Sequence, residues 1–167
     1  ISHPDWAPDF GPSSFNPRMG VTATGARQVL IAYNINLDTD DKAKANSIAS
    51  SIRTSGSLLK DEHGQKIIGE DGKPIRKPGL FKSLQAAGWM YDESTAQVSM
   101  NLLDFSVTGL HDVTQAIREE ASFIGLNVIA GELVGLVPLE AMLSAGRFYI
   151  ADDSVVDEKV LVQKAIS

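Results

Sequence analysis

From Gln28 to Leu37 hydrophobic and polar positions alternate. Val29, Ile31, Tyr33, Ile35 and Leu37 fall on one side; Leu30, Ala32, Asn34 and Asn36 fall on the other. A period of two predicts a half-buried strand. The pattern then changes. Asp38-Thr39-Asp40-Asp41 places acidic groups where the positive end of a helix dipole favours them. Ala45, Ile48, Ala49 and Ile52 follow at helical spacing to about Thr54, and Gly56 ends the run. Leu84 to Tyr91 and Thr95 to Phe105 read as two more strands. In the second, Ala96, Val98, Met100 and Leu102 oppose Gln97, Ser99, Asn101 and Leu103. Thr108 is a candidate cap for a helix striped by Leu110, Val113, Ile117, Ala121 and Ile124, with Gly125 as its stop. Leu126 to Val134 reads as a fourth core strand. Pro138 suits the first turn of a helix to about Phe148, and 157–166 allows one more short helix.

The order is β-α-β-β-α-β with a helical tail. It predicts an α+β, ferredoxin-like fold: an antiparallel sheet with both main helices on one face. Two segments interrupt it. Residues 1–27 hold four of the seven prolines and read as extended or looped. Residues 58–77 read as an inserted hairpin, with turn signals at His63-Gly64 and Asp71-Gly72.

The polar side of the strands is unusual. Asn34, Asn36, Gln97, Ser99 and Asn101 are uncharged where a plain solvent face carries Lys, Glu and Thr. Amides bind a partner's polar atoms at lower desolvation cost than charges do. An ordinary polar face is the competing reading. The first loop is equally distinctive. Gly11, Pro12, Ser13, Ser14, Phe15, Asn16, Pro17, Arg18, Met19 and Gly20, with Phe10 just before, combine hydroxyls, aromatics, one Arg and many free backbone N–H groups. Such a loop can wrap a flat anionic ligand. The competing reading is a linker with Phe10 and Phe15 tucked into a core.

Composition narrows the function. At 167 residues with 43% hydrophobic content, the chain can bury a real core. It has no apolar run of membrane-spanning length and no basic-then-apolar leader. With no cysteine, disulfides, thiolate catalysis and Cys-bound zinc are excluded, which suits a cytoplasmic protein. A net charge of −6 argues against a general nucleic-acid binder. His3, His63 and His111 are not spaced as metal ligands, so no metal is expected, and each reads as solvated rather than as a base. Arg27, Lys77 and Lys82 are candidate carboxylate anchors, with structural ion pairs as the alternative.

Trp6-Ala7-Pro8-Asp9-Phe10-Gly11-Pro12-Ser13-Ser14-Phe15, Thr24-Gly25-Ala26-Arg27 and Leu30 to Leu37 resemble the glutamate formiminotransferase family. Pro78-Gly79, Gly88-Trp89, Ala96 to Ser99, Asn101 to Phe105 and Leu133 to Leu139 continue the resemblance in order. It covers most of the chain outside 58–77, and that family includes the transferase part of formiminotransferase-cyclodeaminase.

The resemblance implies two facing subdomains, whose sheets and connecting loop form a tunnel for tetrahydrofolate as co-substrate. Residues 1–27 would be that connecting loop, following a first subdomain ahead of Ile1, and 28–167 the C-terminal subdomain. Gly11 to Gly20 corresponds to the family's folate-binding segment, although Asn16, Arg18 and Met19 depart from the mammalian-type pattern. Asn34, Asn36, Gln97, Ser99 and Asn101 would be tunnel wall. The family's catalytic histidine lies in the first subdomain, so no catalytic residue is expected here. The implied activity is formimino transfer from formiminoglutamate to tetrahydrofolate in histidine breakdown, by a homodimer. A stand-alone folate-binding or assembly module, and formyl rather than formimino transfer, are the alternatives.

Overall fold

A computed structural model of the chain describes residues 3–150. Its centre is a four-stranded antiparallel sheet. The elements are β1 (Ile31–Leu37), α1 (Lys42–Ile52), β2 (Ser57–Leu58), β3 (Arg76–Lys77), β4 (Leu84–Met90), β5 (Ala96–Leu102), α2 (Leu110–Phe123), β6 (Val128–Val134) and α3 (Leu139–Ile150). The strand order is β4-β5-β1-β6. β1 reaches its parallel neighbour-but-one β4 through α1, and β5 reaches β6 through α2. This is the interleaved pair of βαβ units expected from the alternation of periods. The short helix expected at 157–166 lies outside the described residues.

The register follows the sequence pattern. Ile31, Ile35, Val98, Met100 and Leu102 are buried under α1 and α2, with Tyr33 partly buried beside them. Ala45, Ile48, Ala49 and Ile52 form the buried stripe of α1, and Asp41 caps that helix by accepting from Ala43 N at 2.8 Å. Val29 departs from its predicted place. It is 57% exposed, because β1 begins only at Ile31 and residues before it make no ladder.

Two further expectations are corrected. Thr108 does not cap α2. It is buried, and its hydroxyl donates to the Lys82 carbonyl at 2.5 Å. Gly109 is the cap position, and Asp112 reaches back to accept from Gly109 N at 2.8 Å. Nor is β6 a core strand. It lies at the sheet edge, pairs only with β1, and most of its residues are exposed. Burial of its leading segment is carried by Leu126 instead.

The other edge is covered. Thr54 N donates to Leu84 O at 2.9 Å, Leu84 N donates to Thr54 Oγ1 at 2.8 Å, and an Arg53 Nη donates to Ala86 O at 3.3 Å. The chain leaving α1 therefore satisfies the backbone groups that β4 presents outward, which guards against edge-to-edge association. The 58–77 segment is a closed ring rather than a flat hairpin. Leu59 N donates to Ile75 O, Ile75 N to Ile67 O and Ile67 N to Leu59 O. Its turns fall at Gly64 and Gly72, both at positive φ.

One contact ties the two ends of the fold. Asp38 accepts from Asn127 N and Asn127 Nδ2, both at 2.7 Å, joining the exit of β1 to the entry of β6. These bonds hold its carboxyl below the usual carboxylate range. A lowered folded pKa means that the unfolded chain binds the proton first as pH falls. The contribution is present above about pH 3.9, the ordinary aspartate value, and is lost as pH falls through the lower folded value. Asp38→Ala should lower the denaturant midpoint at neutral pH, and the gap from the parent should close under acid. A gap that stays constant from neutral pH into acid would show that the carboxylate is not its source.

Candidate functional site

The five uncharged polar residues do share one face. β1 and β5 pair with Asn34 opposite Ser99, Asn36 opposite Gln97 and Ala32 opposite Asn101. All lie on the side away from α1 and α2, since the alternate residues Ile31, Ile35, Val98 and Met100 are the buried ones. The amides also organise one another. Gln97 Nε2 donates to Asn36 Oδ1 at 2.9 Å, and Asn34 Nδ2 donates to Glu132 Oε2 at 3.1 Å. Gln97 is only 5% exposed, so its bond to Asn36 holds both side chains in fixed positions.

Three residues of this face were not singled out from the sequence. Gln85 and Trp89 stand opposite Asn101 and Gln97 on β4, and Glu132 stands opposite Asn34 on β6. Trp89 is 60% exposed and carries Lys42 Nζ 5.0 Å from its ring centroid. The face thus offers amides at the centre, an aromatic ring toward one edge and a carboxylate toward the other. The strand period places Trp89 there, but an isolated Trp in a small-residue strand gives no separate signal.

The first loop is placed differently. Gly11 through Gly20 are all exposed, and the hydrogen bonds they make are internal. Asn16 Oδ1 accepts from Arg18 N at 2.9 Å and from Met19 N at 3.3 Å, and Gly20 N donates to Asn16 O at 2.8 Å. Asn16 therefore folds the Asn-Pro-Arg-Met-Gly segment into a turn, which is why a short polar side chain suits that position. Gly11 and Gly20 have φ of +92° and +68°, where only glycine sits without strain. Phe10 and Phe15 are 96% and 63% exposed, so neither is tucked into a core. No hydrogen bond joins this loop to the amide face among the described residues. Arg27, Lys77 and Lys82 are exposed in three separate segments and are not brought together.

The histidines divide. His3 and His63 are exposed, as expected. His111 is not solvated: its side chain is 19% exposed and its ring lies 4.7 Å from that of Phe148 on α3. Its Nδ1 is buried without a hydrogen-bond partner among the described residues. No local pattern signals this burial, because it comes from Phe148 on α3, a helix distant in the chain. Among the described residues no group of three or more His, Asp or Glu is placed to hold a metal, and no helix is long and apolar enough to cross a membrane.

A cavity of about 360 Å³ lies on the helix-covered side, opening between α2, α3, β1 and β6. Tyr33, Thr114, Arg118, Met142 and Tyr149 are among its walls. Thr114 Oγ1 donates to Leu110 O at 2.7 Å, so the Tyr33 hydroxyl donates to Thr114 at 3.2 Å. Burial pushes the Tyr33 phenol above its ordinary value and keeps it protonated. Gly131 makes room for it: a Cβ there would lie 2.5 Å from the Tyr33 hydroxyl.

The architecture is a ferredoxin-like sheet that leaves one face of ordered amides open, and comparison with known proteins shows the family it belongs to. The family model described as the formiminotransferase domain matches residues 32–167, and the chain belongs to that family. Formimidoyltransferase-cyclodeaminase of Rattus norvegicus is 46% identical over 150 residues, covering 89% of this chain and 25% of that protein. Glutamate formimidoyltransferase of Streptococcus pyogenes serotype M1 is 38% identical over 147 residues, covering 87% and 42%. The protein of that name from Thermoplasma acidophilum is 31% identical over 164 residues, covering 98% and 47%. The chain thus spans between a quarter and just under half the length of these relatives.

Proposed function

We propose that residues 28–167 form the C-terminal subdomain of a glutamate formiminotransferase and that 1–27 is the folate-binding loop joining it to a first subdomain. The observation that carries this reading is the row of ordered amides on the open face, in a chain of this family. The whole protein moves a formimino group from formiminoglutamate to tetrahydrofolate, in the cytoplasm, as a step of histidine breakdown.

The chemistry requires few groups. A folate amine attacks the amidine-like carbon and a new C–N bond forms. A base removes the amine proton, the bond from carbon to the glutamate nitrogen breaks, and that nitrogen takes a proton as glutamate leaves. The parts assigned to this chain bind and orient. Asn34, Asn36, Gln97, Ser99 and Asn101 line one wall of the tunnel and present donors and acceptors to the flat polar ligand. Trp89 offers that ligand a stacking surface. Gly11 to Gly20 close over it through backbone N–H groups and the Ser13 and Ser14 hydroxyls, with the Arg18 guanidinium available for a carboxylate. The base comes from the first subdomain. The amide face suits docking onto that subdomain or onto a second copy, as in a homodimer.

The loop assignment is tested with Gly11→Val in the intact two-subdomain protein. Gly11 sits at φ +92° with open space around it, so valine acts by straining the backbone and not by a clash. Tetrahydrofolate affinity should fall about tenfold or more. Unchanged affinity would remove the loop from the site.

A further inference from the structure

The cavity on the helix-covered side plays no part in the proposed transfer, since the strand period puts it on the opposite side of the sheet from the amide face. Its volume of about 360 Å³ falls in the range of small-molecule sites. Its walls are mostly apolar, with Leu110, Leu133 and Met142 around the Tyr33 and Tyr149 rings. The charged and polar groups it does hold are one-sided. In a chain with 21 acidic and 15 basic residues, the lining contains Arg118 and His111 and no Asp or Glu among the described residues. Arg118 stands at the exposed mouth, 5.8 Å from the Tyr149 ring centroid, and pairs with no carboxylate among the described residues.

We propose that this cavity is a second ligand site, for a small carboxylic acid with an aromatic or compact apolar body. The body fills the space between Leu110, Leu133 and Met142, and the carboxylate meets Arg118 at the mouth. A guanidinium near an aromatic ring, with no carboxylate partner among the described residues, is suited to this as a planar two-pronged donor. The Tyr33 hydroxyl, whose bond to Thr114 is long at 3.2 Å, can turn to a ligand oxygen that enters deeper. Gly131 leaves room for the Tyr33 hydroxyl, since a Cβ there would lie 2.5 Å from it and force that side chain to shift.

The four methionines supply the test. Met142 lines the cavity, Met100 is buried in the core, and Met19 and Met90 lie outside the lining. With ¹³C-methyl methionine in the full chain, benzoate is titrated to about millimolar levels, with benzyl alcohol as the uncharged control. The Met142 methyl should move saturably with benzoate while Met19, Met90 and Met100 stay. Benzyl alcohol should bind more weakly, and Arg118→Met should weaken benzoate about tenfold or more, as loss of a charge-assisted contact does. An unmoved Met100 resonance reports that the variant is folded. The site is overturned by no response at Met142, or by equal responses in the parent and Arg118→Met. It is also overturned by a response that appears only once 151–167 are removed, which would make that segment the occupant. None of these outcomes bears on the transferase reading, which rests on the other face.

Discussion

Purified residues 1–167 are expected to show no detectable formimino transfer. General base catalysis contributes about a hundredfold to ten-thousandfold, and enclosure of both substrates in one geometry adds more. Among the described residues no histidine faces the amide wall, and the one carboxylate there, Glu132, is engaged by Asn34. His3 accepts from Asp5 N in a local turn, and His63 is exposed beside a turn glycine. His111 packs against Phe148 on the side of the sheet away from the amide face. The lone chain should bind tetrahydrofolate weakly at best, because one wall of a tunnel leaves the ligand half in water. Turnover should return when a separately made first subdomain is added. Robust turnover by the lone chain would remove the proposal that the base lies elsewhere and return attention to these three histidines.

Gly88→Val should be the most damaging single substitution in the sheet. Gly88 lies on the buried side of β4, where α1 crosses it so closely that a Cβ would sit 2.6 Å from Asn46 Cα. The obstacle is helix backbone, which cannot step aside as the end of a flexible side chain can. Valine must therefore push α1 off the sheet, disturbing Ala45, Ile48 and Ala49 where they meet β4 and β5. Overpacking of this kind costs about 3 kcal/mol, a large part of an ordinary domain's stability. Ala87→Val is the control. Ala87 is the preceding residue, exposed on the open face, and its substitution should move stability by about 0.5 kcal/mol or less. Denaturant melts of the two variants side by side decide the matter. Equal midpoints would mean that α1 can shift without loss.

The α+β architecture was readable from periodicity because one face of the central strands is packed under helices and the other is left open. In β1 and β5 every second residue meets a helix, so the pattern of Ile31, Ile35, Val98 and Met100 has one consistent register. The edges were harder. Leu126 to Val134 is as apolar as a core strand, but apolarity does not say how many neighbours a strand will have. Thr108 has the chemistry of a helix cap, yet its hydroxyl is committed to Lys82 O, a partner 26 residues away that no local pattern reveals. The shared face of Asn34, Asn36, Gln97, Ser99 and Asn101 was legible, since the period of two sets which residues of a strand point the same way. Trp89, Gln85 and Glu132 joined it only once the strand order was known. The cavity was not legible at all. It depends on α3 settling beside α2, and on Tyr33, Thr114 and Arg118 converging from two elements. His111 was misread for the same reason, because its burial comes from Phe148 on a helix whose packing the sequence leaves open.

The central claim is that the open amide face is a folate wall. It is tested most directly by titrating tetrahydrofolate into the two-subdomain protein while following side-chain amide resonances by NMR. The Asn34, Asn36, Gln97 and Asn101 amides should move together and saturate, with Met142 on the far side unmoved. Amides that stay in place while Met142 responds would contradict the claim and place the folate on the other side of the sheet.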